Sequence, residues 1–519
     1  MKFMDILENS LESVKQYTSP GKYILTPRAF TNDGKWNFND FIIYILANKG
    51  KSTTLEIENF VEKYFNDNDD KLITKQGVSK QRMKIDSLIF KDMNLKFVEL
   101  FVKSEEYDPL YKNYFIFAID GTKSEIPNTP ESREWANIKD DSLNYTKPAR
   151  VLASTIIDVK YGIVLDSIIG KSDSNEREMM KQHIETLKNI IDFNKTILLL
   201  DRGYYSLELK LFLDKYGIHY VFRLPSTTYE KEISNMEKSD ENLKISINSN
   251  RRRSVTDENL LKKAKKLQWI EARVIKIPII NSNNEEEQLI LLTDLSQKEF
   301  NTYEIAGLYA ERWEIEVNYD RLKNKIEIEN YTGKSELIIN QDFYSSIYLF
   351  NLSMILKNNI QNHLERKNKK KRENEEKEYR TNFNVLIGRI KNKIIELFTS
   401  NKQKIKKILN RIIQKSLKTI YLYDFNRPKK QWKEKPFIGK YRFNQRRNSW
   451  RIKKLLKKVV DNNRNFIYDY GRTPLNFIAK KYMDLILKRI WKSDDDLKEL
   501  TQDFRKILNL HTPVYYLLC

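Results

Sequence analysis

The stretch TILLLDRGYYSLELKLFLDKYGIHYVFRL runs from Thr196 to Leu224. The apolar run TILLL stops at Asp201, Arg202-Gly203 turns the chain, an apolar-rich helix follows, and IHYVFRL closes the unit as a second strand. A strand, a helix and a strand in that order build a sheet with helices on its faces, and leave Asp201 at a strand end. Working backwards, SNEREMMKQHIETLKNII is a helix from a Ser174 or Asn175 cap. VLASTIIDV (151–159) and GIVLDSII (162–169) form a hairpin across Lys160-Tyr161. YFIFAI is a further strand that ends at a turn, Asp120-Gly121-Thr122. Three strands, then helix, strand, helix and strand, with carboxylates at two strand ends, is the order of an RNase H-like fold.

Forward of Leu224 the pattern changes. LKISI, QWIEARVIKIP and QLILLTDL read as strands separated by polar loops, and form a β-rich insertion over 225–300. Its one tryptophan, Trp269, reads as a core residue. LYAERWEIEVNYDRLKNK (308–325) then contains neither Gly nor Pro and reads as one helix. At about 100° per residue, Tyr309, Arg312, Glu316 and Lys323 fall at roughly 0°, 300°, 340° and 320° and share one stripe. Leu308, Ile315, Leu322 and Ile326 supply the apolar flank. QDFYSSIYLFNLSMILKNNIQNHL (341–364) is a long helix that covers the sheet. The chain divides into a helical region at 1–108, an α/β core at 109–224 and 301–365 around the insertion, a basic region at 366–458 and a helical tail at 459–519.

The net charge is +22, which points to a polyanionic partner. No apolar run approaches the roughly 18 residues of a membrane span, and the N-terminus lacks the apolar core of a signal peptide; a cytoplasmic, nucleic-acid-facing protein is expected. The single cysteine, Cys519, and four histidines without ligand spacing exclude a zinc ribbon and an internal disulfide. Any metal is therefore held by carboxylates, which suits magnesium or manganese. Arg427 to Lys458 holds fourteen Lys or Arg against one acid, with five large aromatics interleaved. That composition suits a segment tracking a nucleic-acid backbone, through residues such as Lys429, Lys430, Arg446 and Arg447. Gly77 reads as a turn into a short helix with Lys80, Arg82 and Lys84, a candidate groove reader.

Asp120, Asp201 and Glu316 together could bind two divalent ions and support in-line phosphoryl transfer. With Tyr309, Arg312, Glu316 and Lys323 spaced Y-x2-R-x3-E-x6-K, and with AIDGT and LLLDRGYYS upstream, residues 70 to 365 resemble the YREK-bearing DDE transposases of bacterial insertion sequences (the insertion-sequence-four group). The resemblance implies an RNase H-like core, two magnesium ions (manganese able to substitute) on Asp120, Asp201 and Glu316, and phosphate contacts from Tyr309, Arg312 and Lys323. It also implies a homodimer acting on paired element ends of double-stranded DNA by cut-and-paste transposition. Two alternatives carry the same features: a catalytically silent DNA-binding protein or regulator, and a metal-dependent DNA nuclease.

Overall fold

Strand β1 (Phe115–Glu125) lies inside an eight-stranded mixed sheet and pairs with β2 (Arg150–Asp158) on one side and β4 (Thr196–Leu200) on the other. The computed structural model describes residues 2–424, apart from 15–19, 32–33, 49, 51, 139–147, 281–285 and 373–376. With β3 (Ile163–Gly170), β5 (His219–Arg223), β6 (Asp240–Ser246), β7 (Trp269–Ile280) and β8 (Glu286–Thr293), the strand order is β3-β2-β1-β4-β5-β8-β7-β6. The pairs β1–β4 and β4–β5 are parallel, and the rest are antiparallel. β4 is buried along its whole length, as TILLL requires of a central parallel strand.

One detail departs from the sequence reading. β1 does not turn at Asp120-Gly121-Thr122. It runs five residues beyond Asp120, and its ladder with β2 continues to Glu125 opposite Arg150. Backbone pairing needs no apolar side chain, so a polar run can extend a strand. The strands of the 225–300 stretch, read as a β-rich insertion, join this sheet: β8 pairs with β5, which makes β6–β8 its far half.

Among the described residues five α-helices precede the sheet: α1 (Phe3–Ser13), α2 (Phe38–Ala47), α3 (Thr53–Tyr64), α4 (Lys75–Arg82) and α5 (Leu88–Val102). Gly77 sits inside α4 rather than in a turn before it, and Thr74 caps that helix by accepting the Gly77 N–H. Within the sheet region come α6 (Pro130–Trp135), α7 (Glu176–Leu187) and α8 (Leu207–Tyr216). The far half carries α9 (Glu230–Ser234), α10 (Ser249–Arg253) and α11 (Glu258–Lys266). Next come α12 (Thr302–Ala310) and α13 (Glu314–Arg321), and then the long α14 (Glu336–Arg372), α15 (Phe383–Thr399) and α16 (Lys402–Leu417). α14 packs against β3 and against α1, α2, α5, α15 and α16, so it joins the first hundred residues to the sheet. Among the described residues no helix is long and apolar enough to cross a membrane.

The α8–β5 connection depends on Gly217, which ends α8 at φ +67. A β-carbon there would run into the Asn194 side-chain oxygen. Gly217→Ala is expected to cost about 1 kcal/mol or more, from left-handed strain and this collision. A chemical-denaturation midpoint equal to wild type would contradict that assignment.

Candidate active site

The parallel register of β1 and β4 places the first two acids. Ala118 stands opposite Leu199, so Asp120 and Asp201, each two residues further on, come out level on neighbouring strands. Asp120 accepts the Gly121 N–H at 2.9 Å. Burial pushes its carboxyl up to about 6; the Gly121 N–H and Arg312 oppose the rise, while the nearby charges of Glu176 and Asp201 add to it. Asp201 accepts a hydrogen bond from the Tyr309 hydroxyl at 3.2 Å.

Residues 302–326 are not one regular helix. α12 tightens into a 3-10 turn at Glu311–Trp313, resumes as α13, and widens into a π turn at Leu322–Ile326 before Glu327 stops it at φ +64. Such departures re-aim side chains and are frequent at functional sites. The shared stripe survives them. Arg312 donates to Glu316 at 2.9 Å and lies 5.9 Å from the Tyr309 ring centre. Its guanidinium is also close enough to Asp120 and Asp201 to act on both. Lys323 donates to the Thr122 hydroxyl at 2.7 Å and to the Lys123 carbonyl at 2.9 Å, two and three residues past Asp120.

Tyr319 fixes this helix to the sheet. Its hydroxyl donates to the Asp120 carbonyl at 2.6 Å and accepts from Thr155 at 2.8 Å. The sequence reading passed over it, although Tyr319 follows Glu316 by three residues and so lies on the same helical face. It also passed over Glu176, whose carboxylate lies against Gly121. A glycine inside a strand is a sign of close approach.

Asp120, Asp201 and Glu316 thus gather around a single guanidinium. Oxygen donors alone, one of them a carboxyl that burial raises to about 6, are the donor set a hard divalent cation takes. Among the described residues, however, no three carboxylate or histidine side chains stand close enough together to hold an ion. Glu316 is engaged by Arg312 instead.

The other expected contacts divide. Lys80 is exposed on α4 and Lys84 is half-buried beyond its end. Arg82 does not face a groove: it is 4% exposed and donates to Asp342 at 2.7 Å, Gln341 at 3.0 Å and Thr332, which holds α4 to α14. Trp269 is not in the core. It is 45% exposed, with the Lys244 ammonium 5.4 Å from its ring centre. Lys429, Lys430, Arg446 and Arg447, with the basic stretch and the tail, lie outside the described residues.

The chain is thus an α/β protein whose mixed sheet sets two acids level on neighbouring strands beside an arginine. Comparison narrows the kind: residues 112–352, a little under half of the chain, match the family model described as Transposase DDE domain. That family uses divalent metal ions. The protein described as transposase InsG for insertion sequence element IS4, from Escherichia coli (strain K12), is 23% identical over 249 residues, 46% of this chain and 51% of that protein. The chain therefore spans about half the length of this relative. A solved structure, the cryo-EM piggyBac transposase synaptic complex with hairpin DNA, is a looser likeness. It covers 80% of this chain and 78% of its own at 10% identity, with a TM-score of 0.36.

Proposed function

We propose that this chain is a DNA transposase that cuts at the terminal inverted repeats of an insertion sequence and joins the freed 3′-OH ends to a target. The sheet from β1 to β5 is read as an RNase H-like core, and the working form as a homodimer on paired ends. The observation that carries the reading is the register that sets Asp120 level with Asp201, within the matched domain and beneath the helix bearing Arg312 and Glu316. Asp120, Asp201 and Glu316 would hold two magnesium ions, which when bound stabilise charge on the attacking and leaving oxygens of an in-line displacement.

The chain's own residues supply the rest. Arg312 can fork onto a phosphate once Glu316 releases it, and Lys323 offers a point charge beside β1. The Tyr309 hydroxyl orients Asp201. Tyr319 holds the helix to the Asp120 carbonyl, so acid and guanidinium move as one unit.

The test uses the full chain and duplex DNA bearing the inverted repeats that bracket its reading frame. Nicks at the repeat boundary in magnesium, followed by products joined through the 3′ ends, are expected. Cleavage without divalent ions would sink the proposal. Cutting without joining would leave a nuclease, and binding without either a DNA-binding regulator. Lys323→Ala should weaken DNA binding on all sequences and lower the salt slope by about 1. An unchanged slope with a lowered melting temperature would make Lys323 only a prop for Thr122.

A further inference from the structure

Glu176 is the first residue of α7, directly after the capping Asn175. An acid there suits the positive end of a helix, but that alone does not explain where its side chain goes. If Gly121 bore a β-carbon, that atom would stand 2.6 Å from the Glu176 Cδ, 2.8 Å from Oε1 and 3.0 Å from Oε2. Gly121 has no left-handed backbone to accommodate, so what it supplies is room. The space made by the residue after Asp120 is filled by a third carboxylate, brought towards two others of the same charge.

The neighbours hold α7 in that position. Arg177 donates from Nε and Nη2 to the Gly203 carbonyl at 3.1 and 3.0 Å, which docks the helix start on the loop that leaves Asp201. No basic group among the described residues pairs with Glu176. Beside it lies Tyr204, 1% exposed, whose hydroxyl is close enough to interact with the Glu176 carboxylate but is left without a well-formed hydrogen bond. A buried hydroxyl without a partner is costly. One held beside a carboxylate that no basic group pairs belongs to a site that is completed by something else.

The geometry points to Glu176 as a fourth carboxylate of the divalent-cation site, acting beside Asp120 and Asp201 either on the ion or through its water, with the Tyr204 hydroxyl as donor to it. This rests on the proposed metal site and deepens it. Glu316 meets the site from the helix side, and Glu176 meets it from the start of α7.

The test is Mn2+ uptake by the full chain without DNA, read from the loss of the free-ion electron paramagnetic resonance signal. Asp201→Asn should abolish measurable uptake, and Glu176→Gln should weaken it about 10-fold or more. Gly121→Ala is a second probe of the same contact. Its methyl can be accommodated only by displacing the flexible Glu176 carboxylate, so it should weaken uptake similarly, and the double variant should be no worse than Glu176→Gln alone. If Glu176→Gln does not fold, Gly121→Ala carries the test. Wild-type affinity in whichever of these folds, with uptake lost in Asp201→Asn, overturns the role of Glu176 and leaves the metal site standing. Uptake intact in Asp201→Asn, or absent from the wild type, overturns the metal site itself and this inference with it.

Discussion

Asp120→Asn protein is expected to lose end cleavage by about 1000-fold or more while folding at least as stably as wild type. The substitution keeps the shape, and its amide oxygen can still accept the Gly121 N–H. What it removes is a negative charge that burial disfavours and that Glu176 and Asp201 repel. The sign follows from the direction of the shift. A carboxyl raised from 3.8 to about 6 holds its proton more tightly in the folded chain, so wild type loses stability as pH rises from about 4 to 6 and carries that penalty above it. The variant carries none. At pH 8 it should therefore be more stable by on the order of 1–3 kcal/mol. Denaturant melts at pH 4 and pH 8, beside the cleavage assay, read both halves. A variant that is inactive and also less stable at pH 8 would make Asp120 a structural acid. An active one would remove it from the site.

That trade has the form expected of a site assembled for a ligand: function is bought with local instability. Asp201 was legible because it ends an unbroken apolar run, and the Tyr309-to-Lys323 stripe because the 3-10 and π turns leave the approximate helical spacing in place. The mid-strand position of Asp120 was not, because apolarity stops at Ile119 while the ladder with β2 continues through Thr122 and Ser124. Arg82 misled for a related reason. On a short basic helix it looks solvent-facing, and its partner Asp342 stands 260 residues away, where no local pattern reaches. The strands beyond Leu224 were visible, but their joining the first half's sheet depends on β5–β8 pairing, which spacing does not encode. Glu176 was hidden because its significance lies in what Gly121 lacks.

The far half of the sheet also mounts the helix that carries Arg312 and Glu316, through Arg273. This side chain is 2% exposed. It forks onto Asp240 at 2.8 and 2.6 Å and donates from Nη1 to the carbonyls of Leu295 and Phe300, at 3.2 and 2.7 Å. Asp240 in turn accepts from Gln297 and from Thr302, the first residue of α12. One ion pair thus ties β6 and β7 to the segment that launches the helix. Burial would raise the Asp240 carboxyl, but Arg273, with Thr302 and Gln297, holds it down at about 2. Arg273→Leu leaves that charge without its partner and two carbonyls unmet, and should cost about 3–5 kcal/mol in denaturant. Asp240→Asn added to it should restore part of the loss, since it removes the stranded charge. Wild type draws stability from the depressed carboxyl above about pH 4 and loses it as pH falls towards 2, whereas Arg273→Leu should show little of that acid sensitivity. Cleavage should fall with the first substitution although Arg273 makes no contact with Asp120, Asp201 or Glu316. Full activity in a destabilised Arg273→Leu protein would show that the far half supports the sheet without setting the helix, and the mount would then be the contacts of Tyr319 and Lys323 with β1.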